Sequence, residues 1–236
     1  MAVPIWLWLW LPPLLLLGEQ GAFGWTFYLF DYIYSESGAV ELATPLASGA
    51  GAVFGIAALR HRKRLPTGWL RGWVALCSGG CVFFTGEELS WGQHLFGWAT
   101  PESLLAINDQ GETNLHNISS WFDQKPRMLL DLFVLYGGII RVLLHRGDVR
   151  KGDWRAWFWP TYICLPSAGL AMLVQVPALL QSRLGMDLSA TIHWSNWPEL
   201  QELYLAIFLL VYLWEVWYRL GNVLSREREV EEAKAA

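Results

Sequence analysis

The chain has 236 residues, of which 54% are hydrophobic and 16% are charged. This composition is too apolar for an ordinary soluble domain, and the net charge of −4 points to no particular class of partner. The sequence contains neither the G-x-G-x-x-G pattern of dinucleotide-binding folds nor a P-loop, so we expect no nucleotide or nucleic acid to bind.

Tryptophan usage favours a membrane protein with many interface crossings. The chain has 16 Trp residues, and Trp is enriched where a bilayer meets water because its ring prefers apolar surroundings and its N–H prefers water. Cys77, Cys81 and Cys164 lie within apolar runs, without the paired spacing of metal ligands. We interpret them as small buried hydrophobes.

Six apolar runs are each near the roughly 20 residues that a helix needs to cross a bilayer. The first run has no basic residue before it, so we prefer a retained span to a cleaved signal peptide. The fifth run carries Pro160, Pro166 and Pro177, which membrane helices tolerate. The prediction is an all-α, polytopic helical bundle forming one membrane domain, with spans at about 4–23, 40–59, 68–84, 128–144, 156–180 and 203–220.

The basic residues predict the orientation of these spans, because Lys and Arg collect in cytoplasmic loops. With six spans, all but three of the 17 Lys and Arg residues fall on one side, the exceptions being Lys125, Arg127 and Arg183. Both termini are therefore predicted to be cytoplasmic.

The segment 86–117, here called the outer polar segment, then lies on the outer face. It concentrates acids, amides and histidines in an otherwise apolar chain, and it is the candidate functional segment. Other polar residues reach the same predicted face, namely Glu36, Glu41, His193, Glu199 and Glu202.

Glu87, Glu88 and Ser90 are the first candidate catalytic residues. If the third span stays helical past its predicted end, Glu87 shares a face with Ser90 or Trp91 and with His94, while Glu88 points elsewhere. Acids at membrane depth are costly and mark functional sites. We interpret them as acid/base groups, with Ser90 donating to a substrate; the alternative is that both acids are solvated among lipid headgroups.

Asn108, Glu112 and His116 follow at positions i, i+4 and i+8, along one stripe if this part is helical. A Glu and a His four residues apart bind a divalent metal or cooperate in acid/base chemistry. Glu112 and His116 are therefore the candidate metal ligands, and His116 is also a candidate catalytic residue. The alternative is a hydrogen-bonded polar lid. Because two spans bracket the segment, we expect both residues to converge with Glu87 and Glu88 on one outward-facing pocket.

A further set of residues is suited to holding a polar headgroup. Amide side chains both donate and accept hydrogen bonds, and a histidine from a separate segment reaches the same face. The predicted binding residues are Gln93, Asn108, Gln110, Asn114, Asn117 and His193.

The outer polar segment also carries a resemblance. Its pattern Glu87-Glu88-x-Ser90-Trp91-Gly92-Gln93, Thr100-Pro101-Glu102 and Asn108-x-Gln110-x-Glu112-x-Asn114-Leu115-His116-Asn117 resembles that of a family of uncharacterised bacterial multi-pass membrane proteins. The resemblance implies that the segment is one functional unit and that the protein lies in a bacterial inner membrane. A weaker similarity to membrane hydrolases of the ceramidase and progestin-receptor type lies in the gathering of Glu, Ser and His at one bilayer face.

Two classes of function remain. The first is a metal-assisted hydrolase or transferase acting on a lipid or lipid-linked substrate at the outer face. The second is a noncatalytic binding or scaffold subunit that recognises a headgroup or a partner. Transport is disfavoured because few charges lie within the spans, Asp131 and Glu215 being the main exceptions. Membrane lipids are the predicted partners and a divalent metal is the candidate cofactor.

Overall fold

The computed structural model describes residues 39–105, 113, 120–144, 153–185 and 197–235, and every regular element within these ranges is helical. The predicted all-α class is confirmed at this level. The first predicted span at 4–23 lies outside the described residues, as do Glu36 and much of the outer polar segment.

Two long helices open the described chain. Helix α1 (Ala39–Arg60) and helix α2 (Gly68–Glu88) begin within a residue of the second and third predicted spans and are joined through a 3-10 turn, Arg62–Arg64. They pack against each other, and the hydroxyls of Ser48 and Thr85 hydrogen-bond between them at 2.8 Å. Helix α2 continues four residues past the predicted end of its span, so its last residues are the paired acids.

The remaining helices are of unequal length. After α2 come two single-turn helices, α3 (Gln93–Phe96) and α4 (Glu102–Leu105). Helix α5 (Ser120–Phe133) continues without a break through a π-helical segment, Val134–Ile140, into α6 (Arg141–Leu144). The later elements are α7 (Arg155–Phe158), a 3-10 turn (Tyr162–Cys164), α8 (Leu165–Leu173), α9 (Val176–Leu184) and α10 (Trp197–Ala235).

The fifth apolar run, predicted at 156–180 as one span, is divided into several short helices. Pro160 lies between α7 and the 3-10 turn, and Pro166 and Pro177 each occupy the first turn of a new helix. Proline lacks an N–H and its ring clashes with the preceding turn, so it fits a helix start far better than a helix interior. The prolines thus set the boundaries between these helices.

Helix α10 forms the centre of the bundle. It packs against α1, α2 and α8, and its buried residues surround it on all sides rather than forming one stripe. A helix that is apolar all round is a core helix. The buried apolar residues of α10 are Leu200, Leu203, Tyr204, Leu205, Ala206, Phe208, Leu209, Tyr212, Leu213, Val216 and Leu220.

The buried phenol of Tyr212 links three helices at one end of the bundle. Its hydroxyl accepts a hydrogen bond from Trp73 Nε1 at 2.8 Å and donates one to the carbonyl of Phe158 at 2.9 Å. Both hydrogen-bonding capacities of the hydroxyl are therefore satisfied, which offsets the cost of burying it.

Glu215 forms a second buried link at the same end. Its carboxylate accepts hydrogen bonds from Thr161 Oγ1 at 2.6 Å and from Arg219 at 3.1 Å. Arg219 also donates to the carbonyl of Ala156. This charged pair is satisfied within the protein and attaches the proline-divided region to α10.

Two helical stretches of the described chain are long and apolar enough to cross a membrane, Val40–Arg60 and Pro198–Ser225. Core helices of soluble proteins meet the same criterion, and 61% of the apolar window in α10 is buried. The two stretches agree with a membrane protein at this coarse level.

Gly138, in the π-helical segment, lies against one residue of α8 and one residue of α10. A Cβ there would come 2.8 Å from the ring of Phe208 and 2.9 Å from the Cβ of Ala168. We expect Gly138→Ala to lower the thermal unfolding midpoint of the purified protein, because overpacking costs about 1–3 kcal/mol. A Cβ at Gly169 meets nothing within 4 Å, so Gly169→Ala is the matched control. Equal midpoints for the two variants would contradict this packing.

Candidate functional site

Helix α2 ends in a sharp left-handed turn. Ser90, Trp91 and Gly92 have φ values of 45°, 55° and 94°. The left-handed region is unfavourable for residues other than Gly, and such strain collects at functional sites. The helix therefore does not continue to His94, so the predicted helical face from Glu87 to His94 is wrong. The side chain of His94 lies outside the described residues.

The turn carries Trp91 back onto the end of α2. Trp91 Nε1 donates a hydrogen bond to Glu87 Oε1 at 2.6 Å, and its ring meets Phe83 edge to face with 6.1 Å between ring centroids. Glu87 is only 4% exposed, so this donor stabilises a carboxylate removed from water. Gly86 leaves room for the ring, because a Cβ there would lie 2.9 Å from ring atoms of Trp91.

Gln93 connects three parts of the outer polar segment. Its Nε2 donates to Thr100 Oγ1 at 2.8 Å, and its Oε1 accepts from the backbone N–H of Thr113 at 2.7 Å and from Thr113 Oγ1 at 2.5 Å. Thr113 Oγ1 also lies 3.3 Å from the carbonyl oxygen of Ser90 and accepts from Trp98 Nε1 at 3.2 Å. The amide thus holds Thr113 against the turn that follows α2.

Gln93 was predicted as a headgroup-binding residue because an amide both donates and accepts. The structure uses both capacities within the protein, in a connecting role. Sequence reasoning did not single out Thr113 or Trp98, because a lone Thr or Trp carries no spacing signal. Helix α4 begins at Glu102, directly after Thr100 and Pro101.

A cavity of about 500 Å³ lies between α2, α5 and α10. The lining residues on α2 run from Trp73 to Glu88, a length of roughly 22 Å at about 1.5 Å per residue. Its volume is within the range of about 300–1,000 Å³ that is usual for ligand pockets. The lining is mostly apolar and consists of Trp73, Leu76, Cys77, Gly80, Phe83, Phe84, Glu87, Glu88, Pro126, Arg127, Leu129, Leu130, Phe133, Glu202, Leu205 and Leu209.

Glu87 and Glu88 both line this cavity, although the helical spacing predicted that Glu88 points elsewhere. Adjacent helical residues are about 100° apart, and a cavity as broad as this one accommodates both directions. Ser90 is buried in the turn and is not among the lining residues. The structure therefore places the predicted acids together at the cavity and places Ser90 behind them.

Arg127 and Glu202 complete the charged end of the cavity. Arg127 forms a salt bridge of 2.9 Å with Glu202 and donates to the carbonyl of Pro198 at 3.0 Å and to Gln201 Oε1 at 3.2 Å. Gln201 Nε2 in turn donates to Asp131 Oδ1 at 3.0 Å. The sequence signal for Arg127 was weak: it is one of three basic residues on the predicted outer side. This network joins α5 to the start of α10.

The predicted metal ligands lie outside the described residues. These ligands are Glu112 and His116. The predicted binding residues Asn108, Gln110, Asn114, Asn117 and His193 also lie outside the described residues. Within the ranges that the structure describes, no group of three His, Cys, Asp or Glu side chains is placed to hold a metal ion. The convergence of Glu112 and His116 with Glu87 and Glu88 stays a prediction.

No protein-family model, curated protein or solved structure matches this chain. Its function is therefore inferred from its own residues. The geometry to be explained is a long apolar cavity with carboxylates at one end.

We expect Gly86→Ala to displace the Trp91 ring from Glu87, because the added methyl group would overlap the ring. Fluorine NMR of protein labelled with fluorotryptophan measures this displacement of the Trp91 ring. The Trp91 signal is assigned as the one that is missing from the spectrum of Trp91→Phe. A Cβ at Gly79 meets nothing within 4 Å, so Gly79→Ala is the control and should leave the signal in place. An unmoved Trp91 signal in Gly86→Ala would refute the arrangement.

Proposed function

We propose that this chain is a multi-pass membrane protein that binds the apolar chain of a lipid or lipid-linked molecule in the cavity between α2, α5 and α10. The polar group of that molecule would lie beside Glu87, Glu88, Arg127 and Glu202. The observation that carries the proposal is the cavity itself, since an apolar slot of this length with charged residues at one end matches the shape and polarity of an amphiphile.

The outward surface of the bundle supports membrane embedding. On α1, Leu46 is 74% exposed and Val53 is 65% exposed, and further large apolar side chains face outward on α2, α5 and α8. Contiguous apolar surface of this kind is unfavourable in water and marks membrane or partner contact. The continuous helix from α5 through the π-helical segment to α6 runs from Ser120 to Leu144 and covers the fourth predicted span at 128–144.

The distribution of charge supports an orientation with both termini in the cytoplasm. Trp69, which follows the basic turn after α1, contacts Trp154 and Phe158, so that turn lies at the end of the bundle that holds Arg155 and Arg219. The acids of the cavity lie at the other end of α2. Because basic residues mark the cytoplasmic side, this distribution supports our proposal that the charged end of the cavity lies on the outer face of the membrane.

A metal-assisted hydrolase or transferase is the second candidate, favoured by the two adjacent carboxylates, Glu87 and Glu88, at the charged end of the cavity. Glu87 or Glu88 is the proposed acid/base group, with Glu112 and His116 as the proposed metal ligands. This version adds chemistry to the same lipid site. A noncatalytic headgroup-binding subunit would bind a lipid in the same cavity without any acid/base or metal chemistry.

Cysteine labelling tests the orientation. In a background with Cys77, Cys81 and Cys164 replaced by Ala, we introduce one Cys at the exposed Pro66 or at the exposed Ser103. An impermeant maleimide added to intact cells should label the Ser103→Cys protein and not the Pro66→Cys protein, because only the former lies outside. Permeabilised cells should label both and serve as the control. The opposite pattern in intact cells would overturn the orientation.

Filling the cavity tests lipid binding. Gly80 lines the cavity and an added Cβ meets nothing within 4 Å, so a Leu side chain there occupies ligand space rather than displacing protein. We expect Gly80→Leu to lower cross-linking of a photoreactive acyl lipid to α2 and α5 by about tenfold, or about 1.4 kcal/mol. Peptide mapping by mass spectrometry measures the amount of cross-linked lipid on α2 and α5.

Gly79→Leu is the matched control, since Gly79 is equally open but is not among the residues lining the cavity. Cross-links to the exposed Leu46 of α1 provide an internal reference for lipid that merely surrounds the protein. Equal labelling of the cavity in both Leu variants would argue against a ligand there.

A further inference from the structure

We infer that two aromatic rings at the inner end of the cavity limit the length of the ligand, so that the cavity takes one extended apolar chain of about its own length. This inference rests on the proposed function, because it names the class of ligand for the same site. The two rings are those of Trp73 and Phe133, here called the aromatic floor. Their position, the contacts that fix them and the dimensions of the cavity carry the inference.

The aromatic floor lies at the end of the cavity opposite the charged residues. Among the lining residues, Trp73 is the one furthest from Glu88 along α2, and Phe133 is the one furthest from Arg127 along α5. The two rings meet at an interplanar angle of 63°, with 5.0 Å between their centroids. Rings from two of the three helices that form the cavity are thus in contact, and they close this end.

The ring of Trp73 is held in place on the side away from the cavity. Its Nε1 donates to the hydroxyl of Tyr212 at 2.8 Å, and that hydroxyl donates to the carbonyl of Phe158 at 2.9 Å. The ring of Trp73 also meets that of Phe158 edge to face, with 5.0 Å between centroids. Moving the indole aside would leave its N–H without this partner inside the bundle, which is unfavourable. The polar edge of Trp73 is therefore satisfied by α10.

Phe133 is fixed by contacts with other aromatic rings. Its ring meets those of Tyr212 and Phe208 edge to face, with 5.8 Å and 6.0 Å between centroids, and that of Phe158 at 5.6 Å. Aromatic pairs at these separations stabilise each other beyond the area that they bury. Tyr212 and Phe208 are fully buried, so Phe133 could retreat from the cavity only by displacing a closely packed core. The floor is therefore a fixed stop.

The dimensions of the cavity match one extended chain. A volume of about 500 Å³ over a length of roughly 22 Å corresponds to a mean cross-section of about 23 Å². This is the width of one extended alkyl chain rather than of two side by side. The length exceeds the roughly 15 Å that one leaflet contributes to the hydrocarbon core of a bilayer. The expected ligand therefore carries a chain at least as long as that of an ordinary membrane lipid.

Chain length can be measured with three probes that share a neutral glucoside headgroup and carry a diazirine at the end of the chain. Their extended chains are half as long as the cavity, equally long, and half as long again. They are presented to the full-length protein in neutral maltoside micelles, and cross-links are mapped by mass spectrometry.

We expect the end of the shortest chain to cross-link near Gly80, midway along the α2 lining, and the end of the equal-length chain to cross-link to Trp73 and Phe133. The longest probe should label the cavity at least about tenfold less than the equal-length probe, because each methylene that it leaves in water weakens binding about fourfold.

Shortening the floor tests whether it is the stop. Trp73→Leu should raise cavity labelling by the longest probe to the level of the equal-length probe and bring the chain end to Phe158, which lies behind Trp73. Phe133→Leu opens the same end from α5 and carries the same expectation. Trp69→Leu is the matched control, because Trp69 also contacts Phe158 but is not among the lining residues. The longest probe should stay excluded from this control variant.

The outcomes separate this inference from the proposed function. The length limit is overturned, while the lipid cavity stands, if the three probes label the cavity of the unmodified protein equally. It is also overturned if both floor variants exclude the longest probe, or if the Trp69→Leu control admits it. Absence of cavity labelling by every probe overturns the proposed function as well.

Discussion

The burial of α10 on every side is the constraint on which the rest of the structure depends. A helix with apolar residues all round must be enclosed by other helices, and α1, α2 and α8 pack against it. Two of its buried polar groups, Tyr212 and Glu215, are hydrogen-bonded to neighbouring elements and so hold those elements in place. The contact of α2 with α10 is less extensive than that of α1, and the cavity lies in this less closely packed region.

The two ends of the bundle use charge differently. At one end Glu215 and Arg219 pair with each other, and their further hydrogen bonds reach the proline-divided region. At the other end Arg127 pairs with Glu202 and Trp91 donates to the carboxylate of Glu87, and Glu87, Arg127 and Glu202 line the cavity. The first arrangement serves packing, because its charges are satisfied internally. The second joins α5 to α10 beside the cavity.

Sequence reasoning was most successful where one physical signal dominated. Apolar runs located α1, α2 and the central part of α10 closely, because these helices are long and their apolar residues are uninterrupted. It was less successful in the fifth run, where three prolines divide what hydropathy alone joins. It assigned Glu87 and Glu88 to the candidate site from their adjacency at a span end, but it extended the helix to His94 through residues that adopt a left-handed turn.

Composition and hydrophobic periodicity by themselves predicted the all-α class that the described residues confirm, a chain apolar enough to favour a membrane, and the unusual acids after the third run. These properties are local, since each depends on residues close together in sequence. Only the tertiary structure decided that Glu87 and Glu88 share a cavity with Arg127 and Glu202, and that Gln93 holds Thr113. Those contacts join residues far apart in the chain, and their geometry depends on how three helices pack and on one left-handed turn, which neither hydropathy nor spacing encodes.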